Sequence, residues 1–220
     1  MTDAVYTVGR FQPPTLGHVR MIDAMVDIAK GAPTFVFISS AKDSLIPTEM
    51  KMNYLRKMLT RNGTFPANLT LVNTSECKTP CGGPLGGWGY LKDRGFVGPR
   101  VLLFVGSDQA FNFDPASANM WKSIPNDERP SILSLERSGP GAAEFSSTKA
   151  REAIASGKSL APFLKEETNA ITDKDVAEMT SALLAVQSRW PKKKAGRRTR
   201  RRHMSRKRKI TRQRSNESDV

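Results

Sequence analysis

The chain has 220 residues and a formal net charge of +14, which is concentrated near its C-terminal end. Residues 192–214 contain fourteen lysines or arginines and no acid, so residues 1–191 carry 21 basic and 19 acidic side chains, a net of +2. The length fits one main domain with appendages. No apolar stretch approaches the roughly 20 residues of a membrane helix, and Asp3 lies where a secretory signal would be basic. These features predict a soluble, intracellular protein of the cytoplasm or nucleus with no membrane partner.

Apolar, β-rich segments alternate with amphipathic helical patterns along residues 1–190. The predicted strands cover residues 4–8, 34–39, 68–73, 101–105 and 131–136. The predicted helices cover residues 18–30, 48–61, 147–156 and 173–189. This alternation predicts an α/β fold in which a parallel sheet of about five strands is covered by helices on both faces. Residues 74–99 hold seven glycines and three prolines, and this composition predicts a loop.

Residues 9–18 (GRFQPPTLGH) join the first predicted strand to the first predicted helix. Gly9 allows a backbone or ligand to approach closely, and two prolines stiffen the turn. Free backbone N–H groups and the dipole at the start of a helix stabilise an anion, and Arg10, Thr15 and His18 add side-chain donors. The segment therefore predicts a phosphate-binding loop, while a plain strand-to-helix connection is the alternative.

A second phosphate signal is the segment 145–151 (FSSTKAR). Ser146 or Ser147 can cap the predicted helix, but Lys149 and Arg151 place positive charge over its first turn, where most helices carry acids. Capping explains the serines and leaves the cations unexplained. A polyphosphate ligand is therefore the favoured interpretation.

The tripeptide Gly106-Ser107-Asp108 directly follows the fourth predicted strand. Ligands of open parallel sheets bind outside the carboxyl ends of the strands, where both this tripeptide and the segment 9–18 lie. Both are therefore predicted to face a ligand at that edge of the sheet.

Cys77 and Cys81 are the two cysteines of the chain. Two cysteines are too few for a disulfide framework, and no second Cys or His pair completes a metal site. Both are predicted to be reduced thiols, and no protein-bound metal is predicted.

The segment after residue 190 contains almost no apolar residues. Because it cannot bury enough surface to offset the entropy of ordering, a disordered basic tail is predicted. Its density of arginine suits nucleic acid or another polyanion, bound through residues 192–214 in a salt-sensitive and sequence-indifferent way. A nuclear-targeting signal and a solubilising tail are the alternatives.

Together these segments resemble the nucleotidylyltransferase superfamily over roughly residues 4–165. Residues 15–18 (TLGH) fit the Thr form of its His/Thr-x-Gly-His motif, and residues 146–151 (SSTKAR) match its Ser-Ser/Gly-Thr-x-x-Arg motif. Residues 9–13 (GRFQP) match the longer form typical of nicotinamide-mononucleotide adenylyltransferases. Cytidylyltransferase-like proteins of phages and large viruses are similar as well, so a virion is a further candidate location.

The resemblance implies a Rossmann-like, doubly wound parallel sheet with a C-terminal helix and the basic tail. The implied parts are a catalytic domain (1–165), a helical extension (166–190) and the tail (191–220). The implied reaction transfers a nucleoside monophosphate from ATP or CTP to a phosphomonoester such as nicotinamide mononucleotide, and it releases pyrophosphate. Mg²⁺ would enter with the triphosphate. A homo-oligomer is compatible with the sequence.

The same resemblance implies roles for individual residues. His18 would donate to the transferring phosphate with help from Thr15, and Asp108 would contact ribose or metal. The implied catalytic residues are Arg10, Thr15, His18 and Arg151. The implied nucleotide-binding residues are Gly9, Phe11, Gly17, Gly106, Asp108, Ser146, Ser147, Thr148 and Lys149.

Two further positions extend the match. Trp121 lies where bacterial nicotinate-nucleotide enzymes place an aromatic residue that stacks on the pyridine ring, which implies substrate binding; a core or surface tryptophan is the alternative. Residues 85–94 correspond to a short helix in relatives, whereas their glycines predict a poor helix.

A binding or structural protein is the rival class of function. Such a protein would have kept the fold without catalysis and would use the tail in a nucleoprotein particle or virus capsid, since fold alone does not settle function. The tail favours this class. The intact segments 9–18 and 146–151 favour the enzyme, because a scaffold has no use for both.

Overall fold

A five-stranded parallel sheet organises the chain, in a computed structural model that describes residues 1–40, 44–79, 81–106, 119–135 and 145–190. The strands are β1 (Ala4–Gly9), β2 (Thr34–Ile38), β3 (Leu69–Asn73), β4 (Val101–Gly106) and β5 (Ser131–Leu135). Their order is β3-β2-β1-β4-β5, and every neighbouring pair is parallel. The predicted α/β fold with a parallel sheet of about five strands is confirmed.

Helices separate the strands along the chain and complete a Rossmann-like arrangement. They are α1 (Leu16–Ala29), α2 (Thr48–Leu59), α3 (Pro84–Lys92), α4 (Ser147–Ala155), α5 (Ala161–Leu164) and α6 (Asp173–Ala185). Short 3-10 turns cover Asn119–Trp121, Asn126–Glu128 and Gln187–Arg189. Residues Met1–Arg189 form one compact unit. None of the helices in the described ranges is long and apolar enough to span a membrane.

The central strands are nearly continuous apolar runs because both faces of the sheet are covered there. All five residues of β2 are buried. Tyr6 and Phe37 belong to one core cluster with Trp88 of α3, while α1 packs on β1 and β2. Alternate residues of a strand point to opposite faces, so a strand covered on both, such as β2, is apolar at nearly every position.

Helix α3 corrects the expectation that residues 74–99 form only a loop. Gly87 allows this helix to lie directly on the sheet, because a Cβ built there would meet the ring of Tyr6 at 3.1 Å and the ring of Phe37 at 3.3 Å. Trp88 and Leu91 are buried in the same cluster. Close packing against the sheet therefore outweighs the poor helix propensity of the glycines.

The two cysteines correct a second expectation, since Cys77 and Cys81 form a disulfide. The prediction of reduced thiols was based on their number and on the expected compartment. Neither consideration includes the turn after β3, which brings the two Cα atoms to 6.1 Å, within the range that a disulfide spans.

The last helix docks on α2 through a buried carboxylate. Lys57 donates to Asp175 at 2.5 Å, and the hydroxyl of Tyr54 donates to the Asp175 carbonyl at 2.6 Å. Burial raises the pKa of the Asp175 carboxyl, but hydrogen bonds from Lys57 and Thr172 outweigh it and hold that pKa below its ordinary value. Helix α6 also packs on α4 and α5. The division of this unit near residue 165 stays a prediction.

The contact of Gly87 with the sheet predicts the effect of enlarging this residue. Gly87→Val forces methyl groups into the rings of Tyr6 and Phe37 and should lower the free energy of unfolding by about 1–3 kcal/mol, as overpacking does. Urea denaturation measures the change. Gly89 has no atom within 4 Å of an added Cβ, so Gly89→Val is the matched control and should be neutral or slightly stabilising. Equal stabilities of the two variants would contradict the packing argument.

Candidate active site

The segment 9–15 leaves the sheet at the point where the strand order reverses. From β1 the chain continues to β2 and β3 on one side, whereas β4 and β5 lie on the other side. Crevices at such a point, outside the carboxyl ends of the strands, are where ligands of open α/β sheets bind. Gly9 ends β1 and Gly106 ends β4, so both lie at this edge, as predicted from the sequence.

Close packing between Gly9 and Phe11 shapes the beginning of the segment. The Phe11 ring is buried, and a Cβ at Gly9 would lie 2.7 Å and 2.9 Å from two of its ring atoms. Phe11 itself has a φ of 49°, a conformation that residues other than glycine rarely adopt. Its ring lies 4.9 Å from the imidazole of His18, measured between centroids. Gly9 and Phe11 therefore act together to support His18.

His18 is oriented by Thr15, the residue that caps α1. The Thr15 backbone N–H donates to His18 Nδ1 at 3.1 Å, and Thr15 Oγ1 lies 2.9 Å from the same nitrogen. A backbone N–H can only donate, so Nδ1 is an acceptor and the proton of the neutral ring is on Nε2. His18 is partly exposed. Its Nε2–H can thus donate to an anion at the start of α1.

The second predicted motif bonds directly to the first. Ser147 Oγ donates to the Pro13 carbonyl at 2.8 Å, and Arg151 Nη1 donates to the Gln12 carbonyl. These pairs are separated by 134 and 139 residues in the sequence. The beginning of α4 is therefore fastened to the segment 9–15.

The predicted capping serine is also in place. Ser146 precedes α4, and its hydroxyl accepts a hydrogen bond from the Lys149 backbone N–H at 3.2 Å. Thr148 and Lys149 are exposed on the first turn of this helix. Their hydroxyl and ammonium groups are accessible to a ligand.

Positive charge accumulates between the two helix starts. Neither α1 nor α4 has an acidic residue in its first turn. Burial lowers the pKa of Arg151 from its ordinary value, and the negative charge of Glu152 opposes this shift. Arg10 is exposed. Two helix dipoles, their free N–H groups and these cations together suit a polyphosphate.

The remaining predicted residues have different placements. Gly17 lies in the first turn of α1. Asp108 and residues 192–214 lie outside the described residues. Trp121 is completely buried in the core cluster with Trp88 and Leu103, which favours the core alternative, and its stacking on a substrate stays a prediction. The ring is large and apolar, and burying it stabilises the sheet.

Sequence reasoning missed a polar group beside this site. Lys51 is fully buried, and its Nζ donates to the Ser39 carbonyl at 2.6 Å and to Ser44 Oγ at 2.9 Å. The position of Lys51 in the repeat of α2 is the feature of the sequence that could have indicated its burial. The buried residues of α2 include Lys51, Tyr54, Leu55 and Met58, so the lysine occupies a position in the apolar stripe where an aliphatic residue is expected.

The sequence matches no protein-family model and no curated protein. Solved structures do match its fold. A protein of Vibrio parahaemolyticus assigned as a nicotinate-nucleotide adenylyltransferase aligns with a TM-score of 0.54 and 14% identity, over 84% of this chain and 99% of that one. The nicotinic acid mononucleotide adenylyltransferase of Plasmodium falciparum aligns at 11% identity over 86% of this chain and 98% of that one, with TM-scores of 0.56 in complex with APC and 0.53 in complex with NaAD.

The chain shares the fold of these adenylyltransferases. The resemblance that the segments 9–18 and 146–151 indicated is thus confirmed at the level of fold. Within this fold, both segments lie at the carboxyl edge of the sheet and bond to each other.

The contact of Gly9 with Phe11 predicts that even a methyl group disrupts the site. Gly9→Ala displaces the Phe11 ring from His18 and should lower the free energy of unfolding by about 1–3 kcal/mol. It should also abolish any rise in melting temperature that inorganic tripolyphosphate gives the unaltered protein. Thermal unfolding with and without tripolyphosphate measures both effects. Gly82→Ala is the control, because its nearest neighbour would be 3.9 Å away; a Gly9→Ala protein as stable and as responsive as this control would contradict the prediction.

Proposed function

We propose that the protein is a nucleotidylyltransferase that moves a nucleoside monophosphate from ATP or CTP to a phosphomonoester and releases pyrophosphate. The observation that carries this proposal is the bonding of Ser147 and Arg151 to the Pro13 and Gln12 carbonyls. It joins two segments rich in phosphate-binding groups into one site on a fold shared with adenylyltransferases.

In the proposed reaction, a phosphate oxygen of the acceptor attacks the α-phosphorus of the triphosphate. A new P–O bond forms, the bond to the bridging oxygen of the β-phosphate breaks, and that oxygen leaves with pyrophosphate. Displacements of this kind depend mainly on positioning and on neutralising charge around phosphorus. No covalent intermediate with the protein is needed.

The geometry suggests how side chains share this work. His18 Nε2–H donates to the transferring phosphate, and Thr15 fixes the imidazole through Nδ1. Arg10, Lys149 and Arg151 hold the triphosphate. The Ser147 hydroxyl hydrogen is engaged by Pro13, so this residue offers its backbone N–H to the ligand.

Other polar groups complete the proposed nucleotide site. The exposed Thr148 adds a hydroxyl, and Gly106 allows the nucleotide to approach the end of β4. Asp108 is proposed to contact the ribose or the metal.

Magnesium is proposed to arrive with the triphosphate. Among the described residues, no group of three or more His, Cys, Asp or Glu side chains could hold a metal ion. Mg²⁺ commonly keeps its waters and binds through substrate phosphates. In the proposed site, the described side chains would bind the phosphates, and the phosphates would hold the ion.

The acceptor is proposed to be a pyridine mononucleotide. Support comes from the matched structures, since the Vibrio and Plasmodium proteins are described as adenylyltransferases for nicotinate or nicotinic acid mononucleotide. Nicotinamide mononucleotide and nicotinic acid mononucleotide are the first acceptors to test.

The tautomer of His18 provides a sharp test of its role. His18→Ala should lower kcat by about a hundredfold or more, as loss of one transition-state donor commonly does. His18→Asn is the matched variant, because its amide can still accept from Thr15 N–H but has no group at the Nε2 position. Release of pyrophosphate from ATP with each acceptor measures turnover, and thermal unfolding measures stability.

We expect His18→Asn to keep the stability and lose the turnover. If His18 served only to cap α1, His18→Asn would restore both. Unchanged turnover in either variant would remove His18 from the mechanism.

A second proposal concerns nucleic acid and rests on the charge of residues 192–214, fourteen cations without an acid. The full chain should bind RNA or DNA with little sequence preference. Its affinity should fall by roughly a thousandfold or more between about 50 and 200 mM salt if six or more phosphates are neutralised. A chain ending at residue 190 should lose this binding and keep its nucleotidylyltransferase turnover. Fluorescence anisotropy across a salt series measures the binding.

The same pair of proteins separates the two classes of function. Turnover that is independent of the tail supports the enzyme. Inactivity of both proteins, together with salt-sensitive binding by the full chain, supports a nucleic-acid-binding or structural protein built on this fold. Equal nucleic-acid binding by the two proteins would remove the tail from the second proposal.

A further inference from the structure

Lys51 connects helix α2 to the end of β2 in a position without solvent. Its side chain is completely buried, and Nζ donates to the Ser39 carbonyl and to Ser44 Oγ. The Ser39 backbone N–H in turn donates to the Gly9 carbonyl at 2.9 Å. Lys51 is therefore connected through one residue, Ser39, to Gly9 at the start of the segment 9–15.

Ser44 carries the connection further, because its hydroxyl is fully used. Ser44 Oγ accepts from Lys51 Nζ at 2.9 Å and from Gln12 Nε2 at 3.1 Å, and it donates to the Ile46 carbonyl at 2.8 Å. A hydroxyl has one donor and two acceptor positions. With all three occupied, the oxygen has a fixed orientation, and the Gln12 side chain is fixed with it.

Gln12 is consequently held at both ends. Its side chain bonds to Ser44, and its carbonyl accepts from Arg151. Arg151 is a residue of the proposed triphosphate site. A continuous series of hydrogen bonds thus runs from Lys51 through Ser44 and Gln12 to Arg151.

The energetics of burial make an unneeded lysine at this position costly. Moving an ammonium group out of water is unfavourable, and the cost is offset only by hydrogen bonds and charges around it, here including the Ser39 carbonyl and Ser44 Oγ. Position 51 lies in the apolar stripe of α2, where methionine would fit the pattern. A buried ammonium group at the end of a series of hydrogen bonds that reaches the site is suited to holding that site in place.

We propose that Lys51 is a positioning residue, which acts through Ser44 and Gln12 to place Arg151 for the triphosphate. This inference rests on the proposed nucleotidyl transfer. Lys51 touches no substrate in it. Its effect is to fix the backbone carbonyl to which the Arg151 guanidinium is anchored.

Three variants of the full-length protein test the proposal: Lys51→Met, Ser44→Ala and the double variant. Each single change should lower kcat/KM for the triphosphate by about tenfold or more, since small displacements of a positioned group have effects of this size. The KM for the triphosphate should rise, and the KM for the acceptor should stay unchanged. Because both residues act in one series, the double variant should lose little more than the worse single variant.

Lys57→Met is the matched control. Lys57 lies on the same helix and pairs with Asp175 of α6 instead of the site. It should lower the melting temperature without changing the KM for the triphosphate. If Lys51 had a purely structural role, Lys51→Met would behave like this control, with less active protein and both KM values unchanged. That result would overturn the proposal.

Hydrogen exchange of the segment 9–18 adds a measurement that does not depend on turnover. Its amides should exchange faster in Lys51→Met and Ser44→Ala than in the unaltered protein and the Lys57→Met control. If the unaltered protein transfers no nucleotide, the proposed function fails, and faster exchange would still show that Lys51 holds this segment. Unchanged exchange overturns the inference whatever the turnover, and so does additive loss in the double variant.

Discussion

The carbonyl oxygens of Gln12 and Pro13 accept hydrogen bonds from the side chains of Arg151 and Ser147. These donors lie 139 and 134 residues later in the sequence. A loop between a strand and a helix has few internal constraints of its own, and cations near it repel one another. Anchoring α4 to the loop backbone removes this freedom before any ligand arrives. Preorganisation of this kind is what a displacement at phosphorus requires, because reorganising charged groups during the reaction would raise its barrier.

The layers of the fold were predictable because burial on both faces leaves little choice of residue. Strands β1 to β4 appear in the sequence as largely apolar runs, and the structure moves one end of each by a single residue. Helix α3 was not predictable from composition, since Gly87 destabilises an isolated helix but permits contact with Tyr6 and Phe37. The disulfide of Cys77 and Cys81 was not predicted for a related reason. The distance between the two Cα atoms is set by the folded turn after β3 and not by the number or spacing of the cysteines.

The residues of the candidate site also differ in how far the sequence predicts them. Thr15, His18, Ser147 and Arg151 stand in motifs whose chemistry is readable residue by residue, so they were named from the sequence. Lys51 was missed because a lysine within an amphipathic helix ordinarily faces water, and only the observed burial places it in the core. For Trp121 the sequence left a core position and a stacking role open. The resemblance gave no information on which way the ring points, and in the structure the side chain packs in the core.

The order of the strands has a consequence for the growing chain. β1 is synthesised first and becomes the middle strand, and its second neighbour, β4, begins only at Val101. A fragment that stops before that residue would leave one whole side of β1 without backbone partners. Unpaired strand edges are templates for association with other chains. Truncated products of this protein are therefore expected to aggregate through β1, the strand that leads into the segment 9–15.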